Sequence, residues 1–210
     1  MITPVLDCLP GSPRASVSRE TRALLDRYVA LLLEGNERQN LIAKSTEAEI
    51  WERHIVDSAQ LARFAPRPDS SWVDIGSGAG LPGLVIAILT EGPVTLVEPR
   101  KLRADFLQHS ADALGLQARV KVAAARVERI TGKYDIITAR AVAPTEVLLG
   151  ISQHLSTDKT LWLLPKGKSA QSELDAAKRA WQGDFRLEPS ETSSEASILV
   201  ASRVRRKGRG

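Results

Sequence analysis

The segment Asp74 to Gly83, DIGSGAGLPG, leaves few folds open. It follows a short apolar run, Trp72 to Ile75, and leads into a longer one, Leu81 to Thr90, so it reads as a tight turn from a strand into a helix. Glycines at 76, 78, 80 and 83 let the backbone turn sharply and keep it bare for a ligand. Pro82 suits a first helical turn, and the helix amino terminus offers N–H groups.

The chain continues in the same rhythm. Strands are expected near Trp72 to Ile75, Val94 to Val97, Val120 to Ala124, Tyr134 to Thr138 and Thr160 to Leu164. Helices are expected near Leu81 to Thr90, Lys101 to Leu114, Thr145 to His154 and Ser169 to Trp181. Such alternation predicts an α/β fold, a doubly wound and mainly parallel sheet with helices on both faces. Two consecutive strand-like runs, Asp184 to Leu187 and Ser197 to Ser202, follow across a polar turn, so one of them is expected to run antiparallel. Ahead of the sheet, Leu24, Leu25, Tyr28, Leu31 and Leu32 mark one face of a helix from Ser18 to about Leu33, ended near Gly35. A second helix, with capping-box spacing at Thr46 and Glu49, is expected to run to about Phe64. The implied division is a helical cap over 1–65, a core over 66–202 and a flexible basic tail over 203–210.

Two nucleotide readings fit the glycine loop. Gly78, Gly80 and Gly83 satisfy the G-x-G-x-x-G dinucleotide fingerprint, which would suit an NAD(P)-dependent oxidoreductase. Gly76, Gly78 and Gly80, with Asp74 two residues earlier, satisfy the G-x-G-x-G loop of S-adenosylmethionine-dependent methyltransferases. Glu98, at the end of the second strand and 18 residues beyond Gly80, can take ribose hydroxyls in either case. Adenosylmethionine carries a sulfonium and no pyrophosphate, so an acid beside the loop suits it better than it suits a phosphate. Little chain follows the sheet, which also argues against the extra substrate domain of a hydride-transfer enzyme. A non-catalytic nucleotide-binding module stays open as the third reading.

Charge and composition narrow the remaining classes. Of 29 Lys and Arg, five lie between Arg203 and Arg209, where none of the 25 acidic residues falls, so the net charge of +4 sits in a basic end and the body is balanced. That end has the composition of a phosphate-binding arm or of a solubilising terminus. The single cysteine, Cys8, forms no internal disulfide, which fits a reducing compartment. Pro4 and Asp7 interrupt the first residues as an export signal, and the longest apolar run, Leu84 to Leu89, is far below the roughly 20 residues of a membrane span. A cytoplasmic protein without a membrane partner is expected. His54 and Asp57, three residues apart with Asn40 nearby, are too few for a metal site, and His109 and His154 lie on other elements, so no metal is expected. The reading of His54 is a structural histidine that docks the cap on the sheet, with substrate contact as the alternative. Nine aromatic residues are too few for an extended single-strand stacking platform.

Seven segments carry a more specific likeness: NERQNLIA, RHIVDSAQL, VDIGSGAGLPGLVIAI, LVEPRKLRADFL, AARVE, ITARAVAP and LPKG, in order from Asn36 to Gly167. In these the chain resembles the bacterial 16S ribosomal RNA guanine-N7 methyltransferases, the glucose-inhibited division protein B family. The resemblance implies a class I, Rossmann-like methyltransferase core with a seven-stranded sheet and a small amino-terminal helical cap. It implies S-adenosylmethionine as cofactor and 16S rRNA in the small ribosomal subunit as partner, and a monomer is favoured. Cofactor contacts are implied for Gly76, Leu81, Val127, Glu128 and Arg140, with Gly78 and Glu98 sharing in the site. Pro99 departs from the family, where a small polar residue commonly follows the acid. The residues themselves add Arg126 and Arg140, which follow adjacent strands, as positioning groups. Lys166, Lys168, Arg100, Lys101 and Arg103 are further candidates for phosphate. No general base is expected, because N7 of guanine carries a lone pair and no proton.

Overall fold

A computed structural model of the chain describes residues 17–208. Helix α1, Arg19–Gln39, opens on Ser18, whose hydroxyl accepts the Thr21 N–H, and closes on Asn40 in the left-handed conformation. Gly35 therefore does not end the helix. A Cβ there would stand 2.6 Å from Phe106, so the glycine serves a close helix crossing. The second cap element is helical but irregular, a 3-10 turn at Lys44–Glu49, a π turn at Trp51–Val56, one α turn at Asp57–Ala59 (α2) and a second 3-10 turn at Gln60–Phe64. The expected capping box is absent, because the Thr46 hydroxyl donates to the Ala43 carbonyl at 2.7 Å.

The sheet then follows as β1 (Trp72–Ile75), α3 (Gly83–Leu89), β2 (Val94–Val97), α4 (Lys101–Ala113), β3 (Val120–Ala123), β4 (Ile136–Ala139), α5 (Thr145–Ser152), β5 (Leu161–Lys166), α6 (Ala170–Ala180), β6 (Trp181–Pro189) and β7 (Ser197–Arg206). Its order is β3-β2-β1-β4-β5-β7-β6. The first five strands are parallel, and β7 inserts antiparallel between β5 and β6. Pro99 does not disturb α4, which starts after an extended Arg100.

Alternation along the strands sorts the core. Trp72, Leu163, Ile198 and Val200 pack with α1, α3 and α4, while Val73, Ile75, Trp162, Leu164 and Leu199 pack with α5 and α6. The cap is not separate from this core, since Leu25, Tyr28, Leu32, Ile55 and Leu61 are buried in the first cluster.

The carboxyl-terminal tail needs correction. Arg203, Arg205 and Arg206 belong to β7, with Arg203 paired to Asp184 and Arg205 to Asp158. Because β7 starts opposite Lys166 and runs back past Trp162, these arginines lie at the sheet edge away from the glycine loop. The β6–β7 hairpin supplies backbone partners that local composition does not reveal. Cys8 and Arg209 lie outside the described residues.

Candidate active site

The parallel strands end together, and the loops after β1, β2, β3 and β4 meet there, as expected of an open α/β sheet. The glycine loop is pinned to β2 by Gly76 N–H and Ser77 N–H, both donating to the Val97 carbonyl at 2.8 and 3.0 Å. Gly76, Gly78 and Gly80 all take positive φ, at 67°, 54° and 91°. The cap buttresses the loop from below, where the buried Tyr28 hydroxyl donates to the Ala79 carbonyl at 2.8 Å.

Asp74 lies under this turn, 1% exposed. Its Oδ2 accepts the Gly83 N–H at 3.2 Å, and its Oδ1 has no protein hydrogen-bond partner. Burial pushes its carboxyl up to about 7, against the opposing pull of Ser77, the Gly83 N–H and Arg140. A dinucleotide pyrophosphate would want the first N–H of α3; here a carboxylate already holds it.

Glu98 is 4% exposed at the end of β2. Its Oε2 accepts from Gly78 N–H at 3.0 Å and its Oε1 from Arg100 N–H at 2.9 Å, so the carboxylate is fixed while each oxygen keeps acceptor capacity. A cleft of about 320 Å³ opens beside it, lined also by Gly76, Arg100, Arg103, Arg126, Val127 and Glu128. Of the residues expected to hold a cofactor, Gly76, Glu98, Val127 and Glu128 meet here, and Arg126 joins them. Gly78 does not line the cleft but donates its N–H to Glu98, which does. Leu81 does not reach the cleft: its side chain is buried in the core.

Arg140 also stands apart from that cleft. It lines a second cavity of about 590 Å³, separated from the first by Ala141 and Val142, which border both. Val142 leans over the glycine loop, 2.6 Å from where a Gly76 Cβ would be. The Arg140 guanidinium faces His54 Nδ1 at 3.4 Å and Asp57 Oδ2 at 3.5 Å. The Thr46 hydroxyl spends its proton on Ala43, so it accepts from His54 Nε2 at 2.8 Å; Nδ1 is then the bare nitrogen that faces Arg140. Burial, then Arg140 and Arg53, push the His54 imidazole down to about 4, which keeps it neutral at ordinary pH. His54 thus joins the cap to the β4 loop, as a docking histidine would.

Sequence reasoning missed the rest of this wall. Gln60 Nε2 donates to Asp57 Oδ1 and Ser190 Oγ, the Glu191 N–H donates to Gln60 Oε1, and the Thr192 hydroxyl donates to Asp57 Oδ1. Partners 130 or more positions apart leave no local signal. Lys166 lines the same cavity but is tied to Glu173 at 2.7 Å, while Lys101 and Lys168 pair with Asp105 and Glu195 on the surface.

The sheet order, the glycine turn and the fixed acid after β2 define a class I methyltransferase fold. Comparison with known proteins then gives the family. The chain belongs to the rRNA small subunit methyltransferase G family, whose profile matches residues 21–196. It is 51% identical over 197 residues to the ribosomal RNA small subunit methyltransferase G of Rhizorhabdus wittichii, covering 92% of this chain and 91% of that one. The protein of the same name from Zymomonas mobilis is 45% identical over 200 residues, covering 91% and 90%. A SAM-dependent methyltransferase from Aquifex aeolicus shares the fold at a TM-score of 0.61 and 13% identity, over 76% of this chain and 95% of that one.

Proposed function

We propose that the chain is an S-adenosylmethionine-dependent methyltransferase that methylates N7 of a guanine in the 16S rRNA of the small ribosomal subunit, as a monomer in the cytoplasm. No helix among the described residues is long and apolar enough to cross a membrane. The observation that carries the reading is the pair of adjoining cavities, one holding a fixed acid and the glycine turn, the other Arg140, with only Ala141 and Val142 between them.

The residues fit the cofactor. Glu98 presents acceptors for two ribose hydroxyls, and Gly76 and Gly78 keep the turn free of side chains. When bound, adenosylmethionine supplies an activated methyl group. The chain's own work is to align donor and acceptor and to exclude water. Arg126, after β3 in the cofactor cleft, and Arg140, after β4 in the adjoining cavity, position the reactants, and no residue has to take a proton from N7.

Incubation with methyl-labelled adenosylmethionine and unmethylated small subunits tests the reading through label in the RNA. Arg140→Ala is expected to lower the transfer rate about 10- to 100-fold, the scale of a misplaced reactant, with cofactor affinity changed only a few-fold. Undiminished transfer by that variant would remove the role given to Arg140.

A further inference from the structure

Four charged side chains line the cavity beside the cofactor cleft, and they come as two pairs. Arg140 Nη1 lies 3.5 Å from Asp57 Oδ2, and Lys166 Nζ lies 2.7 Å from Glu173 Oε2. Both pairs are largely withdrawn from solvent, with side-chain exposures of 23% and 19% for the first and 10% and 21% for the second. The wall therefore offers hydrogen-bond donors at no net charge.

The reaction gives that balance a purpose. As the S–CH3 bond breaks, its electron pair goes to sulfur; the N7 lone pair forms the new N–C bond, and no proton leaves N7. One positive charge passes from the sulfonium to the purine ring. A lone guanidinium at the wall would oppose that charge increasingly as the ring acquires it, and so would raise the transition state relative to the bound reactants. Asp57 is built to prevent this. Its Oδ1 is fixed by Gln60 at 2.9 Å and Thr192 at 3.0 Å, which leaves Oδ2 turned to Arg140.

Resting on the reading of this chain as a guanine-N7 methyltransferase, we propose that this cavity receives the target guanine and that Asp57 is a positioning residue whose charge cancels Arg140. Arg140 can then donate hydrogen bonds to the base without repelling the ring as it becomes cationic.

Single-turnover methylation of unmethylated small subunits at saturating adenosylmethionine tests this with two variants. Asp57→Asn keeps the side chain's size and loses its charge, whereas Asp57→Glu keeps the charge and disturbs the geometry. Asp57→Asn is expected to slow the methyl-transfer step about 10- to 100-fold, with a smaller change in KM for subunits, and Asp57→Glu about fivefold or less. Cofactor affinity, measured by calorimetry, stays within about twofold in both, because Asp57 lies outside the cofactor cleft. If Asp57→Asn is as fast as Asp57→Glu, the charge is irrelevant and the proposal falls. Loss of cofactor affinity in both variants would make Asp57 a framework residue and overturn it equally. Absence of 7-methylguanosine from the wild-type reaction is a separate result, which overturns the functional reading and the proposal with it.

Discussion

Glu98→Gln is expected to weaken adenosylmethionine binding about 100- to 1,000-fold while leaving the protein folded. The carboxylate accepts the Gly78 and Arg100 N–H groups and keeps a lone pair on each oxygen for a ligand. Hydrogen bonds to a charged acceptor contribute about 1.5–3 kcal/mol each, so two ribose hydroxyls account for roughly 3–6 kcal/mol of binding, of which the neutral amide keeps a part. Glutamine loses the charge and turns an NH2 group toward one of the two backbone donors, so it forfeits one anchor as well. Calorimetric titration with adenosylmethionine measures the loss, and far-ultraviolet dichroism checks the fold. Affinity within about threefold of the wild type would remove Glu98 from the site.

The second large effect lies in Asp74 and in pH. Its buried carboxyl is pushed up to about 7 from an ordinary 3.8, so between those values the native protein holds a proton that the unfolded chain has lost. This contribution to stability is fully present below about pH 4 and is lost as pH rises to about 7. Asp74→Asn removes the penalty of ionisation. The variant is expected to gain on the order of 2–4 kcal/mol over the wild type at pH 8 and little at pH 4. Urea unfolding at the two pH values measures the difference. Parallel stability profiles for the two proteins would show that Asp74 stays ionised throughout, with burial outweighed by its donors.

Much of this was legible in the residues because the physics is local. Five apolar runs of strand length, four of them followed by a helical pattern, gave the parallel part of the sheet, and the glycine turn with Glu98 gave the cleft. Local cues failed where a distant partner decides. Gly35 looks like a helix stop until Phe106 is seen against it. Arg203 to Arg206 look like a solvated arm until β6 is seen to pair with them. Arg140 was legible as the residue after a strand, but its partners His54 and Asp57 lie more than 80 positions earlier, and no local cue joins them. The wall formed by Gln60, Ser190 and Thr192 joins the cap to the β6–β7 turn, and nothing in either segment announces the other.

The most direct test of the central claim is the identity of the methylated nucleoside. Purified protein is incubated with methyl-labelled adenosylmethionine and unmethylated small subunits, and the RNA is digested to nucleosides and separated. Label is expected in 7-methylguanosine, because the N7 lone pair attacks without loss of a proton and needs no general base. Label in any other nucleoside, or none despite measurable cofactor binding, would contradict it.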